Sequence, residues 1–110
     1  VVGVEEVAIV DLKRLGELVP HVNLEIIEQG PGINAITMRV HERGAGITRA
    51  CGTGACASAA AALSWGLVPK SVDEVVVHMD GGVARVRISD DNHATLIGPA
   101  THIARCTVDV

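Results

Sequence analysis

The residues most able to do chemistry lie between Glu42 and Ser58, in the run ERGAGITRACGTGACAS. Cys51 sits there between a loop broken by glycines and the start of an alanine-rich helical stretch. A thiol at a helix entrance lies in the positive end of the helix dipole, where its thiolate form is favoured. The amides of Gly52, Thr53 and Gly54 follow it, and the first amides of a helix have no intrahelical acceptor. Two of those residues lack a side chain that would keep an anion away. The segment therefore offers a carboxylate cradle beside a base. Glu42 and Arg43 read plainly as a solvated pair at a strand end, worth at most about 1 kcal/mol. Only eight residues return the chain from Arg43 to Cys51, however, so the pair and the thiol can border one pocket. An acceptor for an ammonium and a fork for a carboxylate beside a thiol describe an amino-acid site.

Other motifs in the same residues carry less. Gly52-x-Gly54-x-x-Ala57 matches a dinucleotide fingerprint, with Asp73 about 20 residues downstream as the ribose acid. That acid should end a strand, whereas Asp73 precedes one. A phosphate loop needs a lysine after its last glycine, and Thr53 follows Gly52 instead. The histidines at 21, 41, 78, 93 and 102 include no i, i+4 pair and no cysteine at finger spacing, so no metal site is expected. Cys56 and Cys106 read as small buried hydrophobes, the usual condition of a free cysteine.

The elements that must position these groups follow from hydropathy and turn residues. Val4 to Val10 reads as a strand, and Asp11 opens a short helix through Leu12, Leu15 and Leu18 that Pro20 ends. Val22 to Glu28 and Ile33 to Glu42 form a hairpin across Gly30-Pro31-Gly32. In its second strand Ile36, Met38 and Val40 alternate with Thr37, Arg39 and His41, which predicts one wet face. Thr53 to Trp65 is a helix with Gly66 as its C-cap and Pro69 blocking continuation. It is apolar nearly all round, so it should be enclosed by strands. Glu74 to Met79, Val83 to Ser89, Ala94 to Ile97 and His102 to Val108 read as short strands of an antiparallel meander. The expected fold is α+β, a mostly antiparallel, curved sheet wrapped around a central alanine-rich helix.

A chain of 110 residues suits one domain, and 48% hydrophobic against 20% charged residues suits a folded one. A net charge of −4 disfavours a nucleic-acid partner, and a single Trp with neither Phe nor Tyr removes the stacking platforms of a single-strand binder. No apolar run approaches the ~20 residues of a membrane span. Three cysteines with no CxxC pair fit a reducing cytoplasm. The chain begins without an initiator Met and reads as a piece of something longer.

With these residues in view, ERGAG, Thr48 and ACGTGACA closely resemble the second active-site signature of the diaminopimelate epimerases. Val22-Asn23-Leu24-Glu25 is similar to that family's substrate-asparagine strand and Gly98-Pro99-Ala100 to its near-terminal turn. Proline racemases and hydroxyproline epimerases share the Cys-Gly-Thr-Gly core but nothing similar to ERGAG at this spacing. A non-catalytic module that binds carboxylates or pairs with another lobe is the remaining alternative.

The resemblance implies a two-lobed enzyme that needs no cofactor and no metal, with its active site in the cleft between lobes. Residues 1–110 then form the C-terminal lobe, and the N-terminal lobe with the partner cysteine is absent. It implies that Cys51 is one of two thiols facing each other across the substrate's α-carbon, and that the amides of Gly52 and Thr53 hold the α-carboxylate. Glu42 would accept from the reacting ammonium, while Arg43 and Asn23 would fix the distal end of diaminopimelate. The reaction would interconvert the LL and meso forms for lysine and peptidoglycan synthesis in the cytoplasm. The lone chain is expected to be inactive, and a homodimer is allowed. The family's last strand returns to the first lobe, which would leave His102 to Val110 without neighbours. Ile47 stands where the family often has Glu, and the stretch from Leu15 to Asn23 is shorter than usual.

Overall fold

The computed structural model describes residues 1–110. Its strands are β1 (Val2–Gly3), β2 (Leu24–Gln29), β3 (Ala35–Glu42), β4 (Gly46–Thr48), β5 (Val75–Met79), β6 (Gly82–Ile88) and β7 (Ala94–Ile97), and its α-helices are α1 (Leu12–Leu18) and α2 (Gly52–Trp65). All seven strands join one sheet in the order β1-β2-β3-β5-β6-β7, with β4 folded back onto β3. Four pairings are antiparallel, and β1 with β2 and β3 with β5 are parallel. The fold is α+β, as expected, and its sheet is mixed. Parallel neighbours need a crossover. For β3 and β5 that crossover contains α2, and for β1 and β2 it contains α1, so connectivity alone puts a helix into each parallel connection.

The two helices lie on opposite faces. Ile27, Ile36, Met38, Val40, Val75, Val77 and Val86 pack against Ala55, Ala59 and Ala62 of α2. Ile26 turns the other way, into a smaller cluster with Val7 and Leu12. Ile26 and Ile27, adjacent in β2, are therefore both fully buried. This double burial explains why the strand shows no clean alternation.

Three expectations are corrected here. Val4 to Val10 is not a strand: only Val2 and Gly3 pair with β2, and a 3-10 turn occupies Val7–Ile9. The chain leaves the sheet there because Val7 packs on Leu12 and Ile26, which outweighs the β-propensity of the segment. The hairpin face of Thr37, Arg39 and His41 is half-buried rather than wet, since α1 lies across it. His102 to Val108 forms no strand, and residues 98–110 are exposed without regular structure. A strand needs a neighbour to take its backbone groups, and this chain offers the tail none.

Helix α2 is also less enclosed than its composition suggests. Gly54, Ala55, Ser58, Ala59 and Ala62 are buried, while Thr53, Ala57, Ala60 and Ser64 face outward and Trp65 is half exposed. Alanine on every side leaves the hydropathy pattern with no direction to read. Gly66 ends the helix as expected, at φ 74°, with the amide of Leu67 donating to the carbonyl of Ala62 at 2.9 Å.

Candidate active site

Strand β3 ends at Glu42, and the chain reverses through Arg43, Gly44 and Ala45 into β4, with Gly44 and Gly46 at φ 78° and 76°. Glycine is needed at both positions because L side chains rarely adopt that region. The reversal sets Thr48 beside the carboxylate, and its hydroxyl donates to Glu42 Oε2. Beyond β4 the backbone is tied down at Arg49, whose carbonyl accepts from the amide of Gly81 at 2.7 Å. A Cβ on Gly81 would stand 2.9 Å from that carbonyl oxygen, so glycine permits the approach. The segment leading into Cys51 is thus held at both ends.

Cys51 is the N-cap of α2, in extended conformation, with the helix beginning at Gly52. Its Sγ accepts from the amide of Gly54 at 3.3 Å and lies 3.5 Å from Thr53 Oγ1. The residue is buried, with 8% of its surface exposed. The sequence reading left three amides free for a ligand. The structure leaves those of Gly52 and Thr53, because the thiol itself caps the third.

Cys51, Gly52 and Thr53 line an open depression of about 660 Å³ together with Glu42, Ala50, Cys56 and Leu96. Four of the six residues singled out from sequence therefore meet around one surface. The other two, Asn23 and Arg43, are exposed and lie outside that lining. They are joined to each other, as Asn23 Oδ1 accepts from the amide of Arg43 at 2.7 Å. That bond ties the start of β2 to the turn that follows Glu42.

Cys56 lines the depression too, half-buried against the core, and burial pushes its thiol up. It fits the reading of a small hydrophobe packed on the core in part, being half-buried. Cys106 does not fit the reading of a buried hydrophobe, since it is exposed in the tail. Asp73 is far from Gly52: it precedes β5 and shares a cleft with Ala60, Leu63 and Ser64, near the other end of a 14-residue helix about 20 Å long. The dinucleotide pattern is thus not assembled.

Sequence reasoning passed over Glu25 as a group of its own. It faces the α2 side of β2 beside Val40, is only 6% exposed, and reaches the first turn of the helix. The signal was present, because alternation from Ile27 puts Glu25 on the same face. A Cβ at Gly54 would stand 2.9 Å from Glu25 Oε1, 3.1 Å from its Cγ and 3.2 Å from Cys51 Sγ. Gly54→Ala is therefore expected to destabilise the protein by about 1–2 kcal/mol, instead of the ~1 kcal/mol gain that alanine brings to an open helix position. A chemical-denaturation midpoint measures the sign directly.

The family model for diaminopimelate epimerase matches residues 4–103. The chain belongs to the diaminopimelate epimerase family. Curated proteins called diaminopimelate epimerase are similar to it: that of Oceanobacillus iheyensis is 46% identical over 83 residues, covering 76% of this chain and 28% of the relative. That of Erythrobacter litoralis is 44% identical over 78 residues, covering 71% and 28%, and that of Desulfitobacterium hafniense is 38% identical over 111 residues, covering 94% and 38%. The chain thus spans between about a quarter and two fifths of these epimerases. Among solved structures, a Bacillus anthracis phenazine biosynthesis protein of the PhzF family is similar in fold, with a TM-score of 0.63 at 15% identity, over 86% of this chain and 32% of that one.

Proposed function

We propose that this chain is the C-terminal, thiol-bearing lobe of a diaminopimelate epimerase, and that it interconverts the LL and meso forms by proton transfer between two cysteines. The observation that carries this reading is the seat of Cys51, capping α2 in an open depression beside Glu42 and the first amides of the helix. The α-carboxylate of the substrate lies on the amides of Gly52 and Thr53, which also stabilise the charge that builds as the α-carbon loses its proton. Glu42, oriented by Thr48, accepts from the α-ammonium. Asn23 and Arg43, joined at the neighbouring rim, take the distal amino-acid end.

In one direction the thiolate of Cys51 removes the α-proton: the Cα–H bond breaks, an S–H bond forms, and the electron pair stays on the α-carbon. A second thiol on the opposite face delivers its own proton to that carbon, and the configuration inverts. The reverse direction exchanges the two roles. Cys56 does not supply the second thiol, because it lines the same side of the same depression, and Cys106 hangs in the exposed tail. The partner thiol belongs to a companion lobe, and the unpaired residues 98–110 suit a segment that such a lobe would cover. The chemistry needs no cofactor. Its products feed lysine and peptidoglycan precursor synthesis, a cytoplasmic task, and no helix of the chain is long and apolar enough to cross a membrane.

The test is α-proton exchange of LL-diaminopimelate in deuterated water, followed by NMR. The chain alone is expected to give no exchange above background, and the chain together with its companion lobe to give rapid exchange. Appreciable turnover by the chain alone would refute the half-site reading, and preference for proline or hydroxyproline in a substrate panel would refute the substrate.

A further inference from the structure

Glu25 is the one acidic side chain of the molecule that is more than nine-tenths buried. It lies on the side of the sheet that α2 covers, among apolar neighbours, and no side chain or amide of another residue donates to its carboxyl group. Its Oε1 and the Sγ of Cys51 both stand about 3 Å from one point, the place a Cβ of Gly54 would occupy. The amide of Gly54 is spent on the sulfur and does not serve the carboxyl.

The other groups around the pair are few. Glu42 from β3 adds a second negative charge, and its Thr48 partner is already committed to it. The carboxyl's own backbone amide opposes them. Burial, with the charge of Glu42 adding to it, nevertheless pushes the Glu25 carboxyl above the usual carboxylate range. Negative charge is crowded at this helix entrance.

We propose that Glu25 is a positioning residue for Cys51, whose carboxylate discourages a second negative charge beside it and so keeps Cys51 resting as the proton-carrying thiol. The helix dipole favours charge on the sulfur, and the Glu25 carboxylate opposes it. This deepens the two-thiol reading and rests on it for its meaning: of two facing cysteines one must hold a proton while the other lacks it, and Glu25 biases Cys51 toward the holder.

Alkylation by iodoacetamide, resolved by peptide mass spectrometry and run from pH 5 to 10, reads the state of Cys51 directly, because only the thiolate reacts. In Glu25→Gln the midpoint for Cys51 is expected to fall by about one pH unit, so that the thiol reacts about five- to tenfold faster at pH 7. Superimposable profiles, with thermal unfolding unchanged, would overturn the proposal. If the variant loses its fold, shown by loss of its cooperative thermal transition, the decision passes to the unaltered protein with carboxyl-labelled glutamate. A second step in the Glu25 NMR titration that disappears in Cys51→Ser supports the coupling, and identical single-step curves overturn it. Neither readout requires turnover, so a shifted profile, found while the chain together with its companion lobe is inactive toward diaminopimelate, would keep the coupling and remove only the epimerase reading.

Discussion

Cys51→Ser, in the protein that joins this chain to its companion lobe, is expected to lower α-proton exchange of diaminopimelate on the order of 10³-fold or more. The size follows from the chemistry, because a serine hydroxyl is far too weak an acid to be present as the base at neutral pH. The structure makes the experiment clean. Sγ caps α2 by accepting from Gly54, and serine is among the preferred N-caps, so the helix entrance keeps its bond. Thermal unfolding is expected to be nearly unchanged while exchange is lost. Activity within tenfold of the original would refute the thiol-base role.

Gly16→Ala is expected to cost about 3 kcal/mol, read as a fall in the urea midpoint at unchanged slope. A Cβ at Gly16 would lie 2.1 Å from Cγ of His41 and 2.3 to 2.4 Å from the next ring atoms, well inside any tolerable contact. The histidine's backbone cannot make room, since it is paired with Leu24 on one side and Ile47 on the other, and the buried Nδ1 already lacks a hydrogen-bond partner. The sign is diagnostic, since alanine in place of glycine inside an exposed helix normally stabilises by ~1 kcal/mol. Gly16→Ala combined with His41→Ala is expected to recover most of the loss, and simple additivity of the two would show that the clash is not the cause. Because His41 adjoins Glu42, the packing of α1 on β3 also steadies the site from behind.

These two sites differ in how much of them the residues announce. Cys51 is announced strongly: a cysteine ahead of Gly-Thr-Gly and an alanine run marks a helix entrance, and ERGAG three residues before Arg49 sets Glu42 within reach, while Arg43 stands outside the depression. The contact of Gly16 with His41 is announced by nothing local, since 25 residues separate them. The same distinction runs through the fold. Asp11 as the N-cap of α1, Gly66 as the C-cap of α2 and the turns between β5, β6 and β7 are read from nearest neighbours, and each stands where expected. Val4 to Val10 failed because a β-branched run says nothing about a crossover that must leave the sheet, and the tail failed because no residue in it states which strand would pair with it.

By itself, then, the order of residues determined the family, the α+β class, the caps and the seat of Cys51 at a helix entrance, because each of these depends on side chains close in sequence or on a signature carried whole in one segment. Tertiary structure alone decided that α2 buries one face and bares the other, that Asn23 bonds to the backbone of Arg43, and that Glu25 stands beside Cys51 under the first turn of the helix. The physical reason is common to all three. A face, a bond between strands and a charge beneath a helix are set by which surfaces exclude water together, and that is settled only when the whole sheet has closed on its helices.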